Sequence, residues 1–305
     1  MIAPPGVEPR IVINDPAGSE QALALGAPFD SVVKVSIGGG WCSGSLISTT
    51  TVLTAQHCLL GEAADNVTVR FTEGGGAGQF NRAVTDIDLM PGYSFLNDGT
   101  DLAVLTLDTP VTERTPFRLL ADFVLGETVR FVGYGFNGVG SVGHGGTSTD
   151  ARWAADNVID AWSEGEDYSG FNSLYYSDFD DPDGTANTLN IVFGVTSSPD
   201  MLAAEGTTAP GDSGGPLLVR RGSEWVIAGV LSGGVLWSAG PAAFPQNPSD
   251  SAYGDISFWT GLTSPEAQSF VRSGGGVFAI PLPGAGWLLL SALGLVGVLR
   301  GRRRG

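Results

Sequence analysis

Short runs rich in Val, Leu, Ile, Thr and Ser recur along this chain, and Gly, Pro, Asn or Asp cuts most of them after a few residues. The chain carries 46 glycines. Helix interiors tolerate few of them, because an ordered glycine gives up more backbone freedom than any other residue. Many short strands joined by tight turns satisfy such a pattern, so the expected fold class is all-β, a sandwich or barrel. With 305 residues and 42% hydrophobic content, the chain can bury the core of one two-lobed domain or of two small ones. A net charge of −17 argues against nucleic acid as a partner and against contact of the folded part with an anionic membrane surface.

The chemistry concentrates in Gly211-Asp212-Ser213-Gly214-Gly215-Pro216. A serine between small residues sits on a tight turn, its hydroxyl exposed and successive backbone N–H groups converging on one point, as acyl transfer requires. Ser213 is therefore a candidate nucleophile, and a serine hydroxyl needs a base and a group that orients that base. The chain has 2 histidines. His57 follows Val52-Leu53-Thr54-Ala55-Gln56, a strand-like run that gives rigid support. His144 stands in Gly143-His144-Gly145-Gly146, where the glycines predict a mobile loop, a poor mount for a base. Asp101 opens Asp101-Leu102-Ala103-Val104-Leu105, the apolar run of a strand buried on both faces, where a carboxylate belongs only if paired. Asp98, within Asn97-Asp98-Gly99, reads as turn chemistry.

These segments, together with Cys42-Ser43-Gly44-Ser45-Leu46-Ile47 and the order His, Asp, Ser, resemble the trypsin/chymotrypsin-like serine proteases over residues 11–272. The resemblance implies two six-stranded antiparallel β-barrels, at about residues 30–120 and 125–260, with the active site between them and a short C-terminal helix from Ser264 and Pro265 to Val271. It implies His57 as base, Asp101 as its orienter, Ser213 as nucleophile, and the N–H groups of Gly211 and Ser213 as the oxyanion hole. The substrate class is protein or peptide, and no cofactor is called for. The separations 101 − 57 = 44 and 213 − 101 = 112 are ordinary and stretched respectively, so an insertion is expected between Asp101 and Ser213. The alternative is an inactive protease-fold module that binds a partner at the cell surface.

The 2 cysteines, Cys42 and Cys58, offer too few ligands for zinc and favour a disulfide. In the resembled family the equivalent bridge supports the catalytic histidine. Arg10-Ile11-Val12-Ile13-Asn14 resembles the family's activation junction, where cleavage frees an amine that pairs with the carboxylate beside the nucleophile, here Asp212; Ile13 and Asn14 depart from the usual pair of glycines. Matching on the serine motif puts Thr207 and Thr208 at the floor of the substrate pocket, Ser232 and Gly234 on its binding strand and Ser251 on its far wall. No carboxylate matches the floor, so strict preference for Arg or Lys is not expected. The insertion carries Glu164, Glu166, Asp167, Asp178, Asp180, Asp181 and Asp183. It reads as a solvated acidic loop to which no metal is assigned, with a calcium site as the alternative: Asp181-Pro182-Asp183-Gly184 resembles part of a calcium loop, but Phe179 stands where its first ligand belongs.

At the C-terminal end, Ser273-Gly274-Gly275-Gly276 reads as a flexible linker. Residues 277–299 carry no charge, and Arg300, Arg302, Arg303 and Arg304 follow. As a helix this stretch spans roughly 35 Å, enough for a bilayer core, with the arginines on the cytoplasmic side. Ile280-Pro281-Leu282-Pro283-Gly284 followed by that helix resembles the Pro-Leu-Pro type of sorting signal processed by exosortase-like enzymes of Gram-negative bacteria. The expected organisation is a leader or propeptide (1–10), a protease domain (11–272), a linker (273–276) and a membrane-spanning or sorting tail (277–305). Residues 1–9 show neither the basic nor the apolar part of a secretory signal, whereas a disulfide and an outward-facing tail both require export. The expected location is therefore outside the cytoplasm, secreted or at the surface of a Gram-negative cell, with an activating protease and an exosortase-like enzyme as further partners.

Overall fold

Along Val67–Phe71 every second side chain is buried: Val67, Val69 and Phe71 point inward, and Thr68 and Arg70 outward. That period of two closes a barrel in the first half of the chain. The computed structural model describes residues 11–73, 78–94, 99–145, 150–163, 173–235 and 251–279. After β1 (Ile11–Ile13) and helix α1 (Gly18–Gly26) come β2 (Val32–Ile37), β3 (Gly40–Leu46), β4 (Thr51–Thr54), β5 (Val67–Phe71), β6 (Phe80–Leu89) and β7 (Ala103–Leu107). Strands β2 to β7 form a closed barrel in the order β2-β3-β4-β7-β6-β5. Val35, Val52, Val69, Phe71 and Leu105 fill it. Strands β4 and β7 carry unbroken apolar runs because they are covered on both sides: Val52 and Leu105 face the barrel interior, while Leu53 and Val104 face a second core shared with the other lobe. Each such side chain contributes about 1.5–3 kcal/mol by leaving water.

The second lobe contains β8 (Arg118–Leu119), β9 (Thr128–Gly133), β10 (Asn137–Val139), β11 (Gly143–Gly145), β12 (Trp153–Val158), β13 (Ala161–Ser163), β14 (Leu174–Asp178), α2 (Thr188–Phe193), β15 (Gly206–Thr207), β16 (Pro216–Arg221), β17 (Glu224–Val235), β18 (Ile256–Gly261) and α3 (Pro265–Ser273). Its main sheet runs β12-β9-β16-β17-β18-β14-β13, with β8 beside β17. This departs from the expected second six-stranded barrel, because the sheet stays open between β12 and β14. There the Asn157 side chain replaces a backbone ladder, donating to Asp178 O at 2.7 Å and Gly206 O at 2.9 Å. A small sheet in the order β11-β10-β1-β15 holds the first described strand inside the second lobe.

Arg152 fastens the two lobes. Its buried guanidinium donates to Thr72 Oγ1 (2.6 Å) and Glu73 O (2.8 Å) on the first lobe and to Ala27 O (3.2 Å) at the end of α1. Helix α3 starts as its sequence dictates: Ser264 Oγ accepts from Ala267 N at 3.1 Å and Pro265 takes the first turn, where no N–H is needed. The Ser273–Gly276 stretch is not a free linker. Gly274, Gly275 and Gly276 donate back to Phe270 O, Arg272 O and Val271 O, and Thr51 Oγ1 donates to Gly274 O at 2.6 Å. A Cβ on Gly276 would lie 2.6 Å from Leu119 Cδ1; glycine is there for close approach. The body continues to Ala279, with Leu119 N donating to Val277 O and Ala279 N donating to Leu119 O. Residues 1–10, 164–172 and 280–305, which include Arg10, Glu164, Glu166, Asp167 and the Pro-Leu-Pro segment, lie outside the described residues, as does Asp98. Among the described residues no helix is long and apolar enough to cross a membrane.

Candidate active site

Strand β4 ends in a short 3-10 turn, Gln56–Leu59, that carries His57. Cys58 in that turn is joined to Cys42 of β3 by a disulfide, so the turn is fixed covalently to the neighbouring strand. Asp101, fully buried just before β7, accepts twice from His57. The backbone N–H donates to Oδ1 at 2.8 Å, and ring Nδ1 lies 2.7 Å from Oδ2. A carboxylate on Nδ1 selects the tautomer with its proton there, leaving Nε2 as an acceptor.

Ser213 lies in the turn between β15 and β16. Within it, Asp212 N donates to Ala209 O, Gly215 N to Asp212 O and Gly214 N to Leu231 O, at 2.8–3.0 Å. Among the described residues, the N–H groups of Gly211 and Ser213 make no such bond. Two donors of one turn are thus left to a ligand. Gly211 has φ +96° and Gly214 φ +81°, and a Cβ on Gly214 would fall 2.2 Å from Thr54 Oγ1. Only glycine lets the turn press against the strand leading to His57.

Ser43 of β3 makes the junction between the two halves of the site. Its N–H donates to Ser213 O (2.7 Å), and its hydroxyl donates to Gly211 O (3.0 Å) while accepting from Tyr134 N (2.9 Å). Its sequence neighbourhood flags only the motif, and no signal in the sequence marks its bridging role. The structure brings Ser213 to the edge of the His57 lobe without a direct bond to the ring; Nε2 lies 3.7 Å from Cys58 Sγ. Catalytic bonds of this kind commonly tighten only around substrate. His144 is elsewhere. It belongs to strand β11, not a mobile loop, and stacks on Phe136 with ring centroids 5.8 Å apart.

The Asp212 carboxylate turns inward, accepting from Gly135 N (2.7 Å) and Ala209 N (3.0 Å). A Cβ on Gly133 would lie 2.1 Å from its Oδ1. Ile11, fully buried at the start of β1, lines the same small void as Asp212, together with Phe131, Thr208 and Trp259. Ile11 has φ +38°, a strained value for a β-branched residue.

Beside Ser213 opens a cavity of about 290 Å³ lined by Thr207, Thr208, Leu231, Gly233, Gly234, Ser251, Asp255 and Ile256, among others. Ser232 is the exception among the expected pocket residues. It sits at an irregularity between Leu231 and Gly233 where β17 shifts register against β18, and its hydroxyl bonds Thr260 Oγ1 at 2.8 Å instead. Asp255 was not anticipated. Its Oδ2 accepts from Ala252 N at 3.1 Å, and it gives the pocket a carboxylate.

Part of the acidic insertion differs from the solvated loop its composition implies. Asp178, Asp180, Asp181 and Glu205 are all buried. Asp181 closes its own turn, accepting from Thr185 and Ala186. Burial, followed by the charges of Asp178 and Glu205, pushes Asp160 up to about 8, and burial with the same neighbours and Asp160 pushes Asp180 up to about 9. Burial likewise lifts Glu205 to about 7 and Asp178 to about 6.

A two-lobed β structure with a His–Asp pair and a glycine-lined serine turn is an arrangement that can carry nucleophilic hydrolysis. Residues 18–154 match the Trypsin family model. The chain is 26% identical over 225 residues to a protein named Trypsin from Saccharopolyspora erythraea, covering 71% of this chain and 86% of that protein. Trypsin theta of Drosophila melanogaster is 31% identical over 108 residues, 34% of this chain and 40% of the relative. These likenesses support a trypsin-like serine protease.

Proposed function

We propose that this chain is a serine endopeptidase acting through His57, Asp101 and Ser213, exported from a Gram-negative cell and sorted to its surface. The observation that carries the reading is the doubly bonded His57–Asp101 pair beside a serine turn with two uncommitted N–H groups. In the proposed reaction Ser213 Oγ attacks the peptide carbonyl as its proton passes to His57 Nε2. The oxyanion takes the N–H groups of Gly211 and Ser213, which act there without reorganising. His57 then protonates the leaving amine, and water repeats the sequence on the acyl-enzyme. Asp255 in the pocket favours a cationic or polar side chain before the scissile bond over an apolar one.

Cleavage after Arg10 is proposed to free the Ile11 amine to pair with Asp212 and order the Gly211 N–H; the shared void supports this. Export is supported by the disulfide and by the sequence of residues 277–305, which an exosortase-like enzyme is proposed to process. A fluorophosphonate probe labels only an activated serine. Stoichiometric labelling of the protein, lost in Ser213→Ala with folding intact, is the expected result. An unlabelled, well-folded protein after cleavage at Arg10 establishes instead a binding module on a protease fold.

A further inference from the structure

Away from the cleft, the end of β12, the end of β14 and the residue preceding β15 bring four acids together, Asp160, Asp178, Asp180 and Glu205. Three are nearly inaccessible, Asp178 at 1%, Glu205 at 2% and Asp180 at 5% exposure. Each acts on its neighbours: Asp160 feels the charges of Asp178 and Glu205, and Asp180 those of Asp178, Glu205, Asp160 and Asp181. Among the described residues no Lys, Arg or His forms an ion pair with any of them.

Some of their oxygens are committed. Glu205 accepts from Asp180 N (2.8 Å) and Leu202 N (2.6 Å), and Asp178 Oδ2 accepts from Leu189 N (2.7 Å). Others are not. Oδ1 of Asp178 and Oδ1 of Asp180 are both buried with no hydrogen-bond partner. A buried carboxylate oxygen without a donor is costly, and a second beside it more so. The missing counterpart is positive, and the donor set is oxygen alone, which selects a hard cation over zinc or copper.

We propose that Asp160, Asp178, Asp180 and Glu205 form a binding site for a hard divalent cation, Ca²⁺ or Mg²⁺, which braces the wall of the pocket beside Ser213. Among the described residues the ligand-type side chains whose donor atoms all lie within 4.8 Å of one another are Cys42, His57 and Cys58, and there the disulfide consumes both sulfurs. The acidic cluster is more open than direct ligation by three carboxylates requires, so water completes the shell of the ion, as both cations permit. The connection to the pocket is short. Glu205 precedes Gly206–Thr207, and Thr207 and Thr208 line the cavity. Between Asp178 and Asp180, Phe179 donates to Asp255 O (3.1 Å) and accepts from Gly254 N (2.8 Å), fixing the opposite wall.

The test uses the full chain, stripped with EDTA and titrated with CaCl₂ or MgCl₂ alone at pH 8, by calorimetry and thermal melting. One ion per chain is expected, with melting raised by about 5–10 °C at a hundredfold excess over Kd. Asp180→Asn should abolish the response while leaving the cation-free protein folded, and Asp183→Asn, an exposed acid of the same loop, should keep it. Should Asp180→Asn fail to fold, Asp160→Asn at the rim carries the same expectation. Because the readout is binding and melting, it stands whether or not the serine is active. The proposal is overturned if neither cation binds at millimolar concentration, or if the response survives intact in the Asp180 and Asp160 variants.

Discussion

Asp101→Asn isolates what the buried carboxylate does for His57. The aspartate offers two acceptor oxygens and both are taken, Oδ1 by the His57 backbone N–H and Oδ2 by ring Nδ1. Asparagine fits the same space with one acceptor and one donor. If its oxygen kept the ring, its amino group would face the backbone N–H in a site with no exposure, leaving buried donors unsatisfied at a cost of about 1–3 kcal/mol. The backbone N–H cannot move its proton, whereas the imidazole can. The oxygen therefore stays on the backbone, the amino group faces Nδ1, and the ring carries its proton on Nε2, where it cannot accept from Ser213. The expected loss in kcat/KM at pH 7 is about 10⁴-fold, equivalent to about 5 kcal/mol of transition-state stabilisation. Thermal stability should change little, since the backbone bond and the packing persist. Steady-state hydrolysis of peptide amide substrates, with melting curves alongside, measures both. Activity of the Asp101→Asn protein within tenfold of the wild type would refute the argument that Asp101 acts by fixing the tautomer.

Replacing both Cys42 and Cys58 by Ser opens a loop of sequence separation 16 and should cost about 3 kcal/mol in urea unfolding by the chain-entropy relation; a change under about 1 kcal/mol would show that packing alone holds the His57 turn. Arg10→Gln should accumulate an uncleaved form that reacts slowly with fluorophosphonate, and N-terminal sequencing of active protein should begin at Ile11. Full activity without cleavage would sink that switch. In EDTA, melting temperature should fall between pH 6 and pH 9. Folded Asp160 and Asp180 hold protons to about 8 and 9 against a reference of 3.8, so above pH 4 the folded state binds more protons than the unfolded one, and that stabilisation is lost as pH rises through the folded values. Asp178, Glu205 and Asp181 surround them with like charge, and a rise in melting temperature over that interval would contradict the burial on which the cluster rests.

The residues of the proposed chemistry were legible because each announces itself locally: a serine between glycines, a histidine after a strand-like run, an aspartate at the mouth of an apolar strand. Helix α3 was legible for the same reason, from Ser264 and Pro265. What escaped depends on contacts between distant segments. Ser232 follows the motif by count, but an irregularity in β17 turns it toward Thr260, and a single extra residue reverses facing in any strand. Asp255 enters the pocket from the turn that leads into β18, with no spacing to the serine that marks it. The acids near Asp180 read as solvated because composition records charge, while their burial needs Asp160 and Glu205 brought in from either side. The glycines at 274–276 have the composition of a hinge and the contacts of a clasp.

That clasp has a mechanical consequence. Any chain continuing past Ala279 departs from a fixed point, where residues 277–279 lie along Leu119, Arg118 Nη2 donates to Phe278 O at 3.2 Å, and the Arg272 guanidinium covers the Phe278 ring at 4.3 Å. Tension applied through a surface tether would reach these few bonds first. Phe278 itself sits in the core that Leu53 of β4 and Val104 of β7 share, so such a pull would be passed on to the two strands that lead to His57 and Asp101.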